Sequence, residues 1–302
     1  MPFKTPQQTT AAAVTVGAAK AAQPLNRTLV GGFLAGAYIA FGGLVSISVS
    51  SGLDPKTWGT LPTLISGSVF ALGLILVVLA GSDLLTGNMA LVPTALFRRK
   101  VKIGRLSVNF AILFIANLLG SLFVAYFLAV KSGVIGSHGA DPASAAGLTF
   151  ARLSGIAKAK TITESDYQIF LRGMGCNWLV CLAVWLAIAA EDVAGKILGI
   201  FFPIMAFVAM GFDHVVANMF FLPAAKFAHV PGITWGGVVN NWFWAFLGNL
   251  VGAVIFVATF YWYLHLRGQP DLAPAIAAPH PRSSPEQERT PTPVPPMADA
   301  TP

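Results

Sequence analysis

Residues 211–220 read GFDHVVANMF and set Asp213, His214 and Asn218 inside a long apolar run. An ionisable group at such a place is a functional candidate by default, because burial of a charge in a hydrocarbon setting is costly. Imidazole titrates near neutral pH, so His214 is able to hydrogen-bond a small polar solute or pass it a proton. Hydrolytic or metal chemistry needs partners that are absent from the pattern. The chain has five His, and His138, His229, His265 and His280 fall in loops, near the ends of apolar runs or in the C-terminal tail, so no nucleophile–base pair or metal cluster is legible. Cys176 and Cys181 stand five apart in one apolar run, a spacing that fits buried packing rather than a disulfide framework or a CxxC site. The expectation is a protein that is not an enzyme and needs no cofactor or metal.

The stretch around His214 has an echo. GSDLLTGNMALVPTALF (81–97) aligns with GFDHVVANMFFLPAAKF (211–227), with identities at Gly81/Gly211, Asp83/Asp213, Asn88/Asn218, Met89/Met219, Pro93/Pro223, Ala95/Ala225 and Phe97/Phe227, each pair 130 positions apart. ANLLGSLFVAYF (116–127) and GNLVGAVIFVATF (248–260) give a weaker echo at an offset of 132. Each stretch of the first pair holds a Gly, an Asp and an Asn, which favour an interrupted helix with capped ends. Asp83 and Asp213 are expected to accept backbone N–H groups at these breaks, with Asn88 and Asn218 beside them. His214 aligns with Leu84, so the repeat does not require it.

The elements that carry these residues follow from composition. Of 302 residues, 55% are hydrophobic and 10% charged, and the mean hydropathy is +0.70, which marks an integral membrane protein. Apolar runs at 28–50, 61–97, 106–130, 168–190, 195–227 and 236–266 each reach the ~20 residues of a spanning helix, and continuous rather than alternating patterning argues against a barrel. The predicted fold is all-α: six transmembrane helices in two three-helix repeats, with helices 2 and 5 broken. Because three is odd, the second repeat enters the bilayer inverted, and paired breaks point to a substrate path at the midplane.

FRRKVKIGR (97–105) carries five Lys/Arg and places its loop in the cytoplasm, hence both termini as well. The loop at 131–167 falls outside, although Lys131, Arg152, Lys158 and Lys160 dissent mildly. The net charge of +7 reflects basic residues scattered along membrane edges, not a nucleic-acid surface. Residues 1–27 form a cytoplasmic segment with an Ala-rich interfacial helix, 28–267 the six-helix domain, and 268–302 a Pro-rich cytoplasmic tail expected to be disordered.

FALGLILVVLAGSDLLTGN (70–88), FLRGMGCNWLVCLAVWLA (170–187), MAFVAMGFDHVVANMFFLP (205–223) and FLGNLVGA (246–253) together resemble the formate/nitrite transporter family over roughly residues 8–267. The resemblance implies a homopentamer of aquaporin-like protomers in the plasma (inner) membrane, each with its own anion path. Carried over to this sequence, the family's central histidine matches His214 and its broken-helix threonine Thr86. The fourth- and sixth-helix amides match Asn177 and Asn249, and the two apolar constrictions match Phe70, Leu74 and Leu84 with Phe207 and Val180. The outer-loop lysine matches Lys160, with Lys158 as the alternative. The implied function is transport of small monovalent anions, formate first and nitrite second, as weak acids with protons. In that scheme Lys160 attracts the anion, and His214, with Thr86 and the Asn177 and Asn249 side chains, hydrogen-bonds or protonates it between constrictions. The same fold also serves hydrosulfide or lactate, and an aquaporin-like channel for small neutral solutes is the other reading. Against the latter stand TGN and VAN where aquaporins carry Asn-Pro-Ala boxes.

Overall fold

The computed structural model describes residues 3–270, which form one unit; the tail beyond them lies outside the described residues. An N-terminal helix α1 (Pro6–Ala22) is opened by a Thr5–Gln8 capping box. Helix α2 (Leu25–Ser50) is followed by one short turn, α3 (Pro55–Trp58), and then by α4 (Leu61–Leu79), α5 (Leu85–Phe97) and α6 (Ile103–Phe123). The second half runs α7 (Ala145–Lys158), α8 (Asp166–Ala189), α9 (Val193–Ala209), α10 (Val215–Phe227), α11 (Trp235–Ala253) and α12 (Phe260–His265). Three π-helical stretches extend helices: Val124–Lys131 after α6, Ala159–Thr163 after α7, and Val254–Thr259 after α11. Among the described residues there is no strand, only one isolated bridge between Phe3 and Ala190.

Among the described residues, five helices are long and apolar enough to cross a membrane: Leu25–Ser50, Leu61–Leu79, Ile103–Lys131, Asp166–Ala189 and Trp235–His265. The fifth apolar run of the sequence is divided into α9 and α10, of 17 and 13 residues, and neither reaches a spanning length alone. The second run is divided too, into α4 and the 13-residue α5. Both divisions fall after a glycine in the left-handed region, Gly81 at φ 81° and Gly211 at φ 71°. A side chain there is strained, so the glycines fix where the backbone turns out of the helix. The turn is closed the same way twice, Ser82 N–H donating to Val77 O (2.9 Å) and Phe212 N–H to Phe207 O (3.0 Å).

Packing repeats as well. Helix α2 lies against α4 and α6, α8 lies against α9 and α11, and α4 meets α9 between the two sets. Small residues bring the backbones together: a Cβ on Gly120 would stand 1.9 Å from Phe33 O, and one on Gly252 would stand 2.2 Å from Met174 O. Close approach of this kind is how helices associate where no water drives them together. Helix α1, read from sequence as an interfacial helix, packs against α5 and α8 and buries Thr9, Thr10, Ala13, Val14, Gly17 and Ala21.

Candidate functional site

Helices α5 and α10 begin in the interior, where their first N–H groups meet no water and must find protein acceptors. Leu85 N–H donates to Asn117 Oδ1 (2.9 Å), and Val215 N–H donates to Asn249 Oδ1 (2.9 Å). The amide nitrogen of Asn117 then donates to Gly32 O and Asp83 O, and that of Asn249 to Gly173 O and Asp213 O. One asparagine per half therefore ties two helices, its own and one neighbour, to each break. This corrects the expectation that Asp83 and Asp213 accept backbone N–H groups. Their carboxylates pair with lysines instead, Lys20 Nζ to Asp83 Oδ1 at 2.5 Å and Lys160 Nζ to Asp213 Oδ1 at 2.7 Å. The reason is competition: a buried carboxylate beside an ammonium gains more from the charge-assisted bond, and an asparagine suffices for the neutral N–H. Asn88 donates to Asn109 Oδ1 (3.0 Å), while Asn218 donates to Asn241 Oδ1 and Asp213 Oδ1 (both 2.8 Å).

His214 breaks the match. It is the N-cap of α10, and its Nδ1 accepts Ala217 N–H at 3.1 Å. Its Nε2 lies 2.7 Å from Thr86 Oγ1. An Nδ1 that accepts carries no proton, so the neutral ring holds its hydrogen on Nε2 and donates it to Thr86. The hydroxyl hydrogen of Thr86 is then left to donate elsewhere, and it has no second partner among the described residues. Protonating the imidazole would put a hydrogen on Nδ1 facing Ala217 N–H and would cost α10 its cap.

Three cavities are linked here by shared lining residues; His214 lines two of them, and Thr86 lies behind it and lines none. One, of about 310 Å³, is lined by Lys160, Glu164, Arg152, Arg172, Phe70, Phe207 and His214 among others. A second, of about 370 Å³, is lined by Lys20, Asp83, Leu74, Leu84 and Lys196 among others. Between them Phe70, Leu74, Leu84, Val180, Phe207, Ile39, Ile204 and His214 enclose only about 10 Å³, hardly room for a single water. Phe70 and Phe207 meet edge to face, centroids 5.8 Å apart. The small void shares Phe70, Phe207 and His214 with the first cavity and Leu74 and Leu84 with the second.

All five residues read as constrictions thus line one void, with His214 among them. Lys160 is buried on the π turn and lines a cavity, whereas Lys158 is exposed on α7. Asn177 and Asn249 do not line the three cavities. Asn177 Nδ2 donates to Thr86 O (3.2 Å) and Asn249 O (2.8 Å), so both amides are occupied in holding backbone. Sequence reading missed Lys20, Asn109, Asn117 and Asn241. The asparagines' signal was present: the offset of 132 that relates 116–127 to 248–260 also relates Asn117 to Asn249 and Asn109 to Asn241, whereas Lys20 and Lys160 do not share that offset.

Two charged mouths joined through an apolar neck, in a bundle of membrane-length helices, define a membrane transport protein rather than an enzyme. Residues 7–263 match the family model described as formate/nitrite transporter. The chain is 45% identical over 274 residues to the "Probable formate transporter" of Methanothermobacter thermautotrophicus, covering 88% of this chain and 98% of that one. Among solved structures it resembles an "FNT family ion channel" with a TM-score of 0.76 at 30% identity, covering 85% of this chain and 98% of that one. It also resembles a "Pentameric formate channel with formate bound" with a TM-score of 0.68 at 26% identity, covering 80% and 98% respectively. The chain belongs to the formate/nitrite transporter family.

Proposed function

We propose that the protein carries small monovalent anions, formate first and nitrite second, across the plasma membrane as their neutral acids, with one path in each protomer of a homopentamer. The observation that carries this reading is the neck: about 10 Å³ of apolar space flanked by Lys160 at one mouth and Lys20 at the other. A bare anion in such a slit faces a Born penalty nominally of tens of kcal/mol, and its conjugate acid does not. Each mouth holds more cations than its ion-paired aspartate offsets, Arg152 and Arg172 beside Lys160 and Lys196 beside Lys20, and so raises the local concentration of anion. Desolvation at the neck then favours taking up a proton. His214 is the one polar residue among those lining the neck, and Thr86 lies against it; as the neck opens to a solute, the freed Thr86 hydroxyl donates to it while His214 holds Thr86 in place. In this scheme His214 orients, and the proton travels with the solute.

The matched breaks, asparagines and lysines support six crossings arranged as two inverted repeats, α4 with α5 making one and α9 with α10 another. With the basic loop 97–105 in the cytoplasm, both termini and the Lys20 mouth face inward, and the Lys160 mouth faces outward. Oligomeric state rests on the pentameric structural neighbour.

Uptake of labelled formate into proteoliposomes, with and without an inward proton gradient and with nitrite, lactate and hydrosulfide as competitors, tests the reading. Saturable flux driven by the gradient and inhibited by nitrite is expected. Flux of none of these anions would overturn it in favour of a neutral-solute channel.

A further inference from the structure

Arg172 and Glu164 have no counterparts at the Lys20 mouth among the lining residues of that cavity. Glu164 follows the π turn that carries Lys160, and its side chain is 7% exposed. Its Oε1 accepts a hydrogen bond from Arg172 Nη1. Its Oε2 is buried without a hydrogen-bond partner, and so is Oδ2 of Asp213, whose Oδ1 already accepts from Lys160 and Asn218. The two carboxyl groups lie within hydrogen-bonding reach of each other. Two carboxylate oxygens facing one another repel, and each, left dry, lacks a donor. One proton satisfies both.

We propose that Glu164 holds that proton, donating from Oε2 to Asp213 Oδ2, and that its presence or loss sets the charge with which the Lys160 mouth meets an incoming anion. The groups facing this site are Arg152 from α7, Lys160 from the π turn, Arg172 from α8, and Asp213 and His214 from the break before α10. With Glu164 protonated the three cations are offset by Asp213 alone. When the proton leaves to the water of the cavity, a second negative charge joins it and the pull on an anion weakens. Burial, reinforced by the Asp213 charge, pushes the Glu164 carboxyl up to about 7, within reach of ordinary swings in external pH. The inference rests on the anion-transport reading only for its consequence, since the proton itself is observable without transport.

Infrared difference spectroscopy of the purified protein, taken as pH is carried upward through about 7, should show loss of a protonated-carboxyl C=O band in the wild type and no such band change in Glu164→Gln. Absence of the band in the wild type, or its persistence in the variant, overturns the assignment. In vesicles, KM for formate offered at the Lys160 face should rise over the same interval by about fivefold more in the wild type than in E164Q, the worth of roughly one unit charge near contact in water-like surroundings. The glutamine amide keeps a donor for Asp213 Oδ2 and is fixed in the uncharged form, so its KM should stay at the low-pH value apart from the change in acid fraction common to both proteins. Equal pH dependence in the two proteins overturns the role in capture, whereas absence of all transport with the band intact would fault the transport reading instead.

Discussion

At the scale of single residues, His214 does two jobs with two nitrogens. Nδ1 caps α10 and Nε2–H fixes Thr86. Replacing it with asparagine keeps a good N-cap but is too short to reach Thr86. His214→Asn should therefore leave the fold intact and lower formate flux by about tenfold or more, the worth of one buried hydrogen bond lost at a demanding step, while the shape of the pH profile is retained. A displaced profile in vesicle flux measurements would return the proton step to His214. Thr86→Val should produce a similar loss with the histidine untouched. The aromatic pair sets size: Phe70→Ala or Phe207→Ala should let lactate compete about tenfold or more better against labelled formate, as a widened apolar slot loses its ability to reject an acid larger by two carbons and a hydroxyl. His214 was legible as a mid-membrane ionisable group in an apolar run. The Thr86 contact was not, because residues 128 positions apart meet only once two breaks are brought face to face.

At the scale of elements, the informative unit is the broken helix with its asparagine. Asn117→Leu would strand the Leu85 N–H, and Asn249→Leu the Val215 N–H; each should cost about 1–3 kcal/mol and lower the melting temperature in detergent. Comparable losses from the two variants are the mark of a repeated design. Gly81→Ala and Gly211→Ala, which force an L side chain into the left-handed region, should cost about 1 kcal/mol each by the same assay. Much of this level was readable: glycine, aspartate and asparagine recur at an offset of 130 and mark both interruptions. What could not be read was the division of labour. An aspartate next to a break looks like a cap, and only the nearness of Lys20 and Lys160, each 53 or more positions away in sequence, diverts both carboxylates into ion pairs. The π-helical ends of α6 and α11, Val124–Lys131 and Val254–Thr259, carry no pattern in the sequence that announces them.

At the scale of the whole molecule, the two mouths are alike in their lysine, aspartate and asparagines and unlike in Glu164 and Arg172. Lys160→Gln should weaken uptake from one face and Lys20→Gln from the other, a distinction that oriented vesicles resolve. Stability should carry the same asymmetry. The Glu164 carboxyl titrates near 7 when folded against an ordinary value of 4.5, so the folded chain binds more protons across that interval. By linkage, its contribution is full below 4.5 and lost as pH rises through about 7. Melting temperatures of the wild type, measured relative to E164Q, should fall across that window.

The neck has a further consequence for the cell that houses it. A space with room for one water at most cannot hold a hydrogen-bonded file of waters, and without such a file protons do not hop from side to side. On the transport reading proposed above, idle copies should leave a proton gradient across the bilayer undischarged, however densely they are packed in it.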